Sequence, residues 1–105
     1  MLKTVVLVPV ADNAGTPFPP EAWHEFEARL RRELGGFSMG GVVRGEWVNP
    51  DGRIYSDTSR QYTVALEVRQ VPAWLDILEW ALERFGQQAL YVEIAGAPEI
   101  LGRRA

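Results

Sequence analysis

Between positions 55 and 62 the chain carries Tyr55, Asp57, Ser59, Arg60 and Tyr62, its densest run of side chains able to do chemistry. Asp57 offers a carboxylate that serves as a general base or as a cation ligand. Ser59 and the two tyrosines offer hydroxyl donors, and Arg60 offers an anion clamp. These five residues form the candidate ligand site, with Asp57 and Tyr62 as the candidates for catalysis. A plainer role competes. Short polar side chains such as Asp57 and Ser59 often satisfy backbone N–H groups in a bulge. Residues 56–59 interrupt the apolar pattern as a bulge or local bend does.

Other polar residues make weaker cases. His24 is the chain's single histidine and faces away from the apolar stripe of its own helix. With no second histidine and no H-E-x-x-H pattern, no zinc hydrolase site is expected and no metal site is assigned. Neither GxxxxGK[ST] nor GxGxxG occurs, so no phosphate or dinucleotide cofactor is implied. Glu46 and Trp47 are adjacent in an expected strand and therefore face opposite ways. Glu46 is expected to pair with Arg53 or Tyr55 across a hairpin, and Trp47 to serve as core or interface. Glu67 and Glu93 fall on strands that the expected order keeps apart.

Composition excludes several classes. The 105 residues suit one domain, and 47% hydrophobic with 24% charged residues is ordinary for a globular chain. The formal charge of −3 argues against nucleic acid, since a phosphate backbone rewards clustered positive charge. The absence of cysteine removes disulfides and thiol nucleophiles and fits a cytoplasmic setting. No segment approaches the roughly 20 apolar residues that span a bilayer, so no membrane partner is expected.

The elements that must hold these residues follow from pattern. Residues 4–8, TVVLV, read as a strand ended by Pro9. Residues 11–19 form a loop, and 20–34 a helix with Trp23, Phe26, Leu30 and Leu34 on one stripe and a glycine at its end. Residues 37–48 form a second strand whose glycines at 40, 41 and 45 mark a bulge, bend or close approach. The run Asn-Pro-Asp-Gly at 49–52 is a turn. The return strand resumes regular alternation at Tyr62, with Tyr62, Val64, Leu66 and Val68 on one face. Pro72 opens a second helix, in which Trp80 lies off the stripe's centre, at its edge or at a subunit contact. Residues 89–95 make a fourth strand, and 96–105 a short tail in which Ile100 and Leu101 dock and residues 103–105 fray.

The order strand, helix, hairpin, helix, strand predicts an α+β, ferredoxin-like βαββαβ sandwich over residues 1–105. Its four-stranded antiparallel sheet has order 4-1-3-2, with both helices on one face. The other face then carries Thr63, Ala65, Glu67, Tyr91 and Glu93 with part of the first strand. This mixture favours burial against a second copy of the chain, making a homo-oligomer.

One resemblance adds to this. Gly35–Gly36, the G-E-W at 45–47, the D-G at 51–52 and the S-D-T-S at 56–59 are similar to a family of small bacterial proteins without an assigned activity, the DUF3574-like group. Residues 20–70 carry the likeness. Thr58 stands between the acidic residue and the serine where the family pattern joins them. The resemblance lends no activity.

Two functional readings result. The first is a non-enzymatic cytoplasmic oligomer that binds a small ligand or a protein partner near the hairpin. The alternative is a small enzyme using Asp57 as acid/base or cation ligand, helped by Tyr62 and Arg60.

Overall fold

A run of β-branched residues with a leucine needs cover on both faces, and such a strand is most stable in the middle of a sheet. The computed structural model, which describes residues 1–103, puts it there. Strand β1 (Leu2–Pro9) pairs antiparallel with β3 (Ile54–Leu66) on one side and with β4 (Ala89–Ile94) on the other. Strand β2 (Ser38–Val48) lies outside β3, and β5 (Ala97–Gly102) lies outside β4. The sheet order is β2-β3-β1-β4-β5.

Helix α1 (Pro20–Leu34) has Pro20 in its first turn, Arg31 and Arg32 in its last, and Gly35 after it at φ 89°. That left-handed backbone is cheap only for glycine, and its N–H donates to Arg31 O. Helix α2 (Val71–Arg84) follows a single 3₁₀ turn, Val68–Gln70. Glu67 and Gln70 exchange side-chain and backbone bonds there as a capping box. Both helices pack on the sheet face that presents Val6, Val8, Tyr62, Val64, Leu66, Leu90 and Val92. Within this layer Phe26, Trp74 and Phe85 are buried completely. Each such side chain contributes about 1.5–3 kcal/mol of transfer free energy. Trp80 covers the stripe's edge: it stacks on Phe26 at 6.3 Å and lies under the Arg29 guanidinium at 4.4 Å.

The α+β layout and the order 4-1-3-2 of the first four strands are as expected, but the sheet has a fifth strand. The expected tail forms β5 because Ala95 (φ 53°) and Gly96 (φ 83°) together make a two-residue hairpin turn. Such a turn needs positive φ at both positions, and an alanine at the first hides the usual Asn-Gly signal. Strand β4 is therefore internal rather than an edge. Pro98, which cannot donate, is acceptable because β5 is the edge. Arg103 does not fray. Its side chain donates to Gln87 O at 2.6 Å and Leu82 O at 3.1 Å, taking up carbonyls at and just beyond the end of α2. Residues 104 and 105 lie outside the described residues.

Two further expectations change. No bulge forms at residues 56–59; the one that the glycines at 40 and 41 marked lies on the partner strand, between Met39 and Val42, where Gly41 has φ 105°. Strand β3 runs unbroken through 56–59. It ends at Leu66, so Val68 leaves the inner face and is 73% exposed.

Candidate functional site

An unbroken strand alternates its side chains, and this decides the fate of the residue 55–62 cluster. Arg60 pairs across with Val8 and Tyr62 with Val6, so both point to the helix side. Tyr55, Asp57 and Ser59 point to the open side with Leu7, Val5 and Tyr91. The five expected site residues form two groups, one on each face of the sheet.

On the helix side Tyr62 is completely buried, and its hydroxyl donates to Glu27 Oε2 at 2.7 Å. Arg60 pairs with the same oxygen at 3.6 Å and lies 4.2 Å over the Trp23 ring. Burial first, and then the Glu27 carboxylate, holds the Tyr62 phenol well above the ordinary tyrosine range. His24 is exposed at the rim of a small cleft beside Phe18 and Trp23. The Tyr62 hydroxyl and the Arg60 guanidinium thus meet at one oxygen of Glu27. The set is a clamp between α1 and β3.

The open side is different. The turn at 49–52 closes a three-residue loop with Gly52 at φ 86°, and Asn49 N–H donates to Arg53 O at 2.8 Å. Counting back from it sets Val48 opposite Ile54, Trp47 opposite Tyr55 and Gly45 opposite Asp57. The indole of Trp47 reaches back over Gly45 and donates from Nε1 to Asp57 Oδ2 at 3.0 Å. Gly45 is required for this. A Cβ there would lie 3.0 Å from Asp57 Oδ1 and 3.1 Å from Trp47 Nε1. The indole then approaches Tyr91, with ring centroids 6.4 Å apart. Tyr91 donates to Glu93 Oε2 at 3.3 Å. Lost solvation, and then the neighbouring Glu93 charge, holds its phenol above the ordinary range.

Trp47 and Tyr91 wall a cavity of about 170 Å³, with Leu7, Leu90 and Ile100 as apolar lining and Asp57 and Ser59 as polar lining. Ser59 is the feature that marks it. The residue is only 4% exposed, yet its hydroxyl has no hydrogen-bond partner among the described residues, and it lines this cavity. The other buried polar residue, Thr4, donates to Val64 O at 2.9 Å. The hydroxyl is open to the cavity, so an occupant there can supply the partner that the protein does not.

Asp57 and Ser59 are thus not caps of backbone N–H groups: Asp57 accepts from an indole and Ser59 faces the cavity. Glu46 pairs with Arg44 at 3.5 Å, not with Arg53 or Tyr55, because its register partner is Ser56. Sequence reasoning set Trp47 aside and did not bring in Tyr91, Leu7 or Ile100. For Trp47 a signal existed, since counting register from the Asn-Pro-Asp-Gly turn puts a glycine opposite Asp57 beside a tryptophan. Among the described residues no group of three His, Cys, Asp or Glu side chains is arranged to hold a metal ion. No helix there is long and apolar enough to cross a membrane.

The chain matches no protein-family model, and no curated protein matches it. Two solved structures match closely in shape. A phage SAM lyase in complex with S-methyl-5′-thioadenosine gives a TM-score of 0.71 at 17% identity, covering 99% of this chain and 89% of that one. A phage SAM lyase in its apo state gives 0.70 at the same identity and coverage. At that identity the likeness establishes the fold.

Two outcomes test these assignments. Ser59→Ala removes a hydroxyl that has no protein partner, so the unfolding free energy in denaturant should stay within about 0.5 kcal/mol of the wild type; a larger fall refutes the unpaired assignment. For Tyr62, the raised phenol favours the protonated form in the folded state. Its contribution is complete below the ordinary value of 10.0 and is lost as pH rises beyond it. Between about pH 10 and about pH 11 the wild-type protein should lose up to about 1.4 kcal/mol more than Tyr62→Phe. Equal losses would show that Tyr62 does not titrate above an ordinary tyrosine.

Proposed function

We propose that this chain is a small enzyme that takes a nucleoside thioether, or the sulfonium compound from which one is released, in the open-face cavity. The unpaired Ser59 hydroxyl at the floor of an aromatic-walled cavity carries the reading. The indole of Trp47 and the ring of Tyr91 offer faces on which a flat heteroaromatic base stacks, and such faces also attract a sulfonium charge. Ser59 supplies a hydrogen bond to the base or sugar. The fold shared with a phage SAM lyase bound to S-methyl-5′-thioadenosine supports this ligand class. It favours the enzyme over the non-enzymatic partner-binding oligomer that the sequence put first.

The reaction is cleavage of a carbon–sulfur bond. Sulfur leaves with the bonding electron pair as a neutral thioether. The Asp57 carboxylate takes a proton from the adjacent carbon, and that C–H pair becomes the new double bond. Loss of the sulfonium charge is favoured by the apolar walls of Leu7, Leu90 and Ile100, since a low-dielectric setting disfavours a charged group. The Trp47 N–H fixes the orientation of Asp57 through its second oxygen. Arg60 and Tyr62, on the far face, hold β3 to α1 and touch no substrate.

Asp57→Asn keeps the shape and an oxygen for the indole but removes the base. Release of S-methyl-5′-thioadenosine from S-adenosylmethionine, followed by chromatography, should fall by about 100-fold or more. The unfolding midpoint should remain within the range of a neutral substitution. Undiminished release, or no release by the wild-type protein, overturns the assignment of Asp57.

We propose in addition that a second copy of the chain meets the open face. Val5, Leu7, Ala65 and the 65% exposed Ile100 lie on that side with few charges, and a neighbour seated there would roof the cavity. Light scattering at micromolar concentration should return a mass above that of one chain. A monomer at all concentrations would dispose of this part.

A further inference from the structure

The cavity beneath Trp47 does not end at Asp57. Pro9, Asp57 and Gln87 line it and also line a second, wider groove of about 730 Å³. That groove runs between the loop after β1, with Asp12, Asn13 and Gly15, and the stretch of β3 with Tyr55 and Thr58. Taken alone, the first cavity falls below the roughly 300–1,000 Å³ of ordinary small-molecule sites, and the groove brings the pair into that range.

The loop is held open by its own bonds. Val10 N–H donates to Thr58 O at 3.0 Å, and Phe18 N–H to Val10 O at 3.1 Å. Asp12 Oδ1 accepts from the N–H groups of Ala14 and Thr16, both at 2.9 Å. Its other oxygen has no partner among the described residues. Asp57 likewise spends Oδ2 on the Trp47 indole and leaves Oδ1 without a donor. Neither concavity is lined by a lysine, arginine or histidine. The guanidinium of Arg44 donates to Ser56 Oγ at 3.3 Å and pairs with Glu46, so it is committed one side chain away.

We infer that the joined site is bipartite and selects by charge. A flat apolar ring system lies between Trp47 and Tyr91 with its edge on the Ser59 hydroxyl, and a positively charged substituent extends past Asp57 toward Asp12. Phosphorylated nucleosides are turned away. The inference rests on the small-molecule reading of the open-face cavity and adds to it the place of the charged substituent and the exclusion of phosphates. Two carboxylates with free oxygens and no cation between them attract an ammonium or sulfonium and repel a phosphate. Ser59, 4% exposed, with no hydrogen-bond partner among the described residues and lining the cavity, is the independent sign that the site is built for an occupant, since acidic residues on a surface by themselves are common.

Three adenosines that differ only at the 5′ position test this by calorimetric titration: 5′-amino-5′-deoxyadenosine (cationic), S-methyl-5′-thioadenosine (neutral) and adenosine 5′-monophosphate (anionic). The amine should bind at least about fivefold tighter than the thioether, and the monophosphate should show no measurable binding. Asp12→Asn retains the Oδ1 acceptor for Ala14 and Thr16. It should reduce the preference for the amine severalfold while leaving thioether affinity and the unfolding midpoint in place. Equal affinities for all three, or tighter binding of the monophosphate, overturn the charge inference and leave the cavity reading standing. If none of the three binds, the nucleoside reading falls and this inference falls with it.

Discussion

The antiparallel pairing of β1 with β3 is the contact on which the rest of the structure depends. Its register, from Leu2 opposite Leu66 to Pro9 opposite Ser59, sets which residues of both strands meet the helices and which meet the open side. Slipping it by one residue would exchange Tyr62 and Val64 with Gln61 and Thr63, putting amides and hydroxyls under α1 and α2. The inner residues Val6, Val8, Tyr62 and Val64 are buried almost completely, so the cost of a slip is spread along the whole strand. The site on the outer face inherits its geometry from that constraint. Asp57 and Ser59 face outward because Tyr62 and Val64 must face inward.

The aromatic side chains divide the labour in the same way. Phe18, Trp23, Phe26, Tyr62 and Phe85 pack on the helix side in edge-on and tilted contacts, with Trp23 and Phe85 at 4.7 Å and Phe18 and Phe85 at 5.1 Å. Each such contact contributes about 0.5–1.5 kcal/mol beyond area burial, and the set makes a stiff base for the sheet. Trp47 and Tyr91 are on the other side. They lie on strands separated by β3 and β1, and they meet because the indole crosses the space above Gly45. The 44% exposure of Trp47 shows that this ring is not there for burial. A rigid inner layer and a sparsely packed outer cavity suit a binding site carried on a strand, where the backbone fixes the side chains more firmly than a loop does.

Polar satisfaction separates the two halves of the residue 55–62 cluster. On the helix side Tyr62 Oη and Arg60 share one oxygen of Glu27, which ties α1 to β3. On the open side Ser59 and one oxygen each of Asp57 and Asp12 remain without partners. These groups keep hydrogen-bonding capacity that an occupant of the cavity can use. This is the physical content of the statement that the open face, and not the Arg60–Tyr62 face, is the candidate site.

The α+β order was legible in the sequence because it is written in local patterns: the apolar stripe of Trp23, Phe26, Leu30 and Leu34, the β-branched run at 4–8, and the turn at 49–52. Right-handed crossovers then left few topologies for the first four strands. Ser59 and Asp57 were legible as polar residues worth attention, and Gly45 as a close approach. What the sequence could not assign was the side of the sheet on which each functional group lies, since residues 56–59 read as a bulge or local bend and form regular strand. The glycines at 40 and 41 marked the bulge between Met39 and Val42, whereas an alanine at its first position hid the turn at Ala95–Gly96, and the reach of Trp47 to Tyr91 depends on pairings between distant segments. Local propensity indicated the helices and the first four strands, though not β5. Only long-range register decided which residues share a face, because in a β-strand a shift of one residue reverses every side chain.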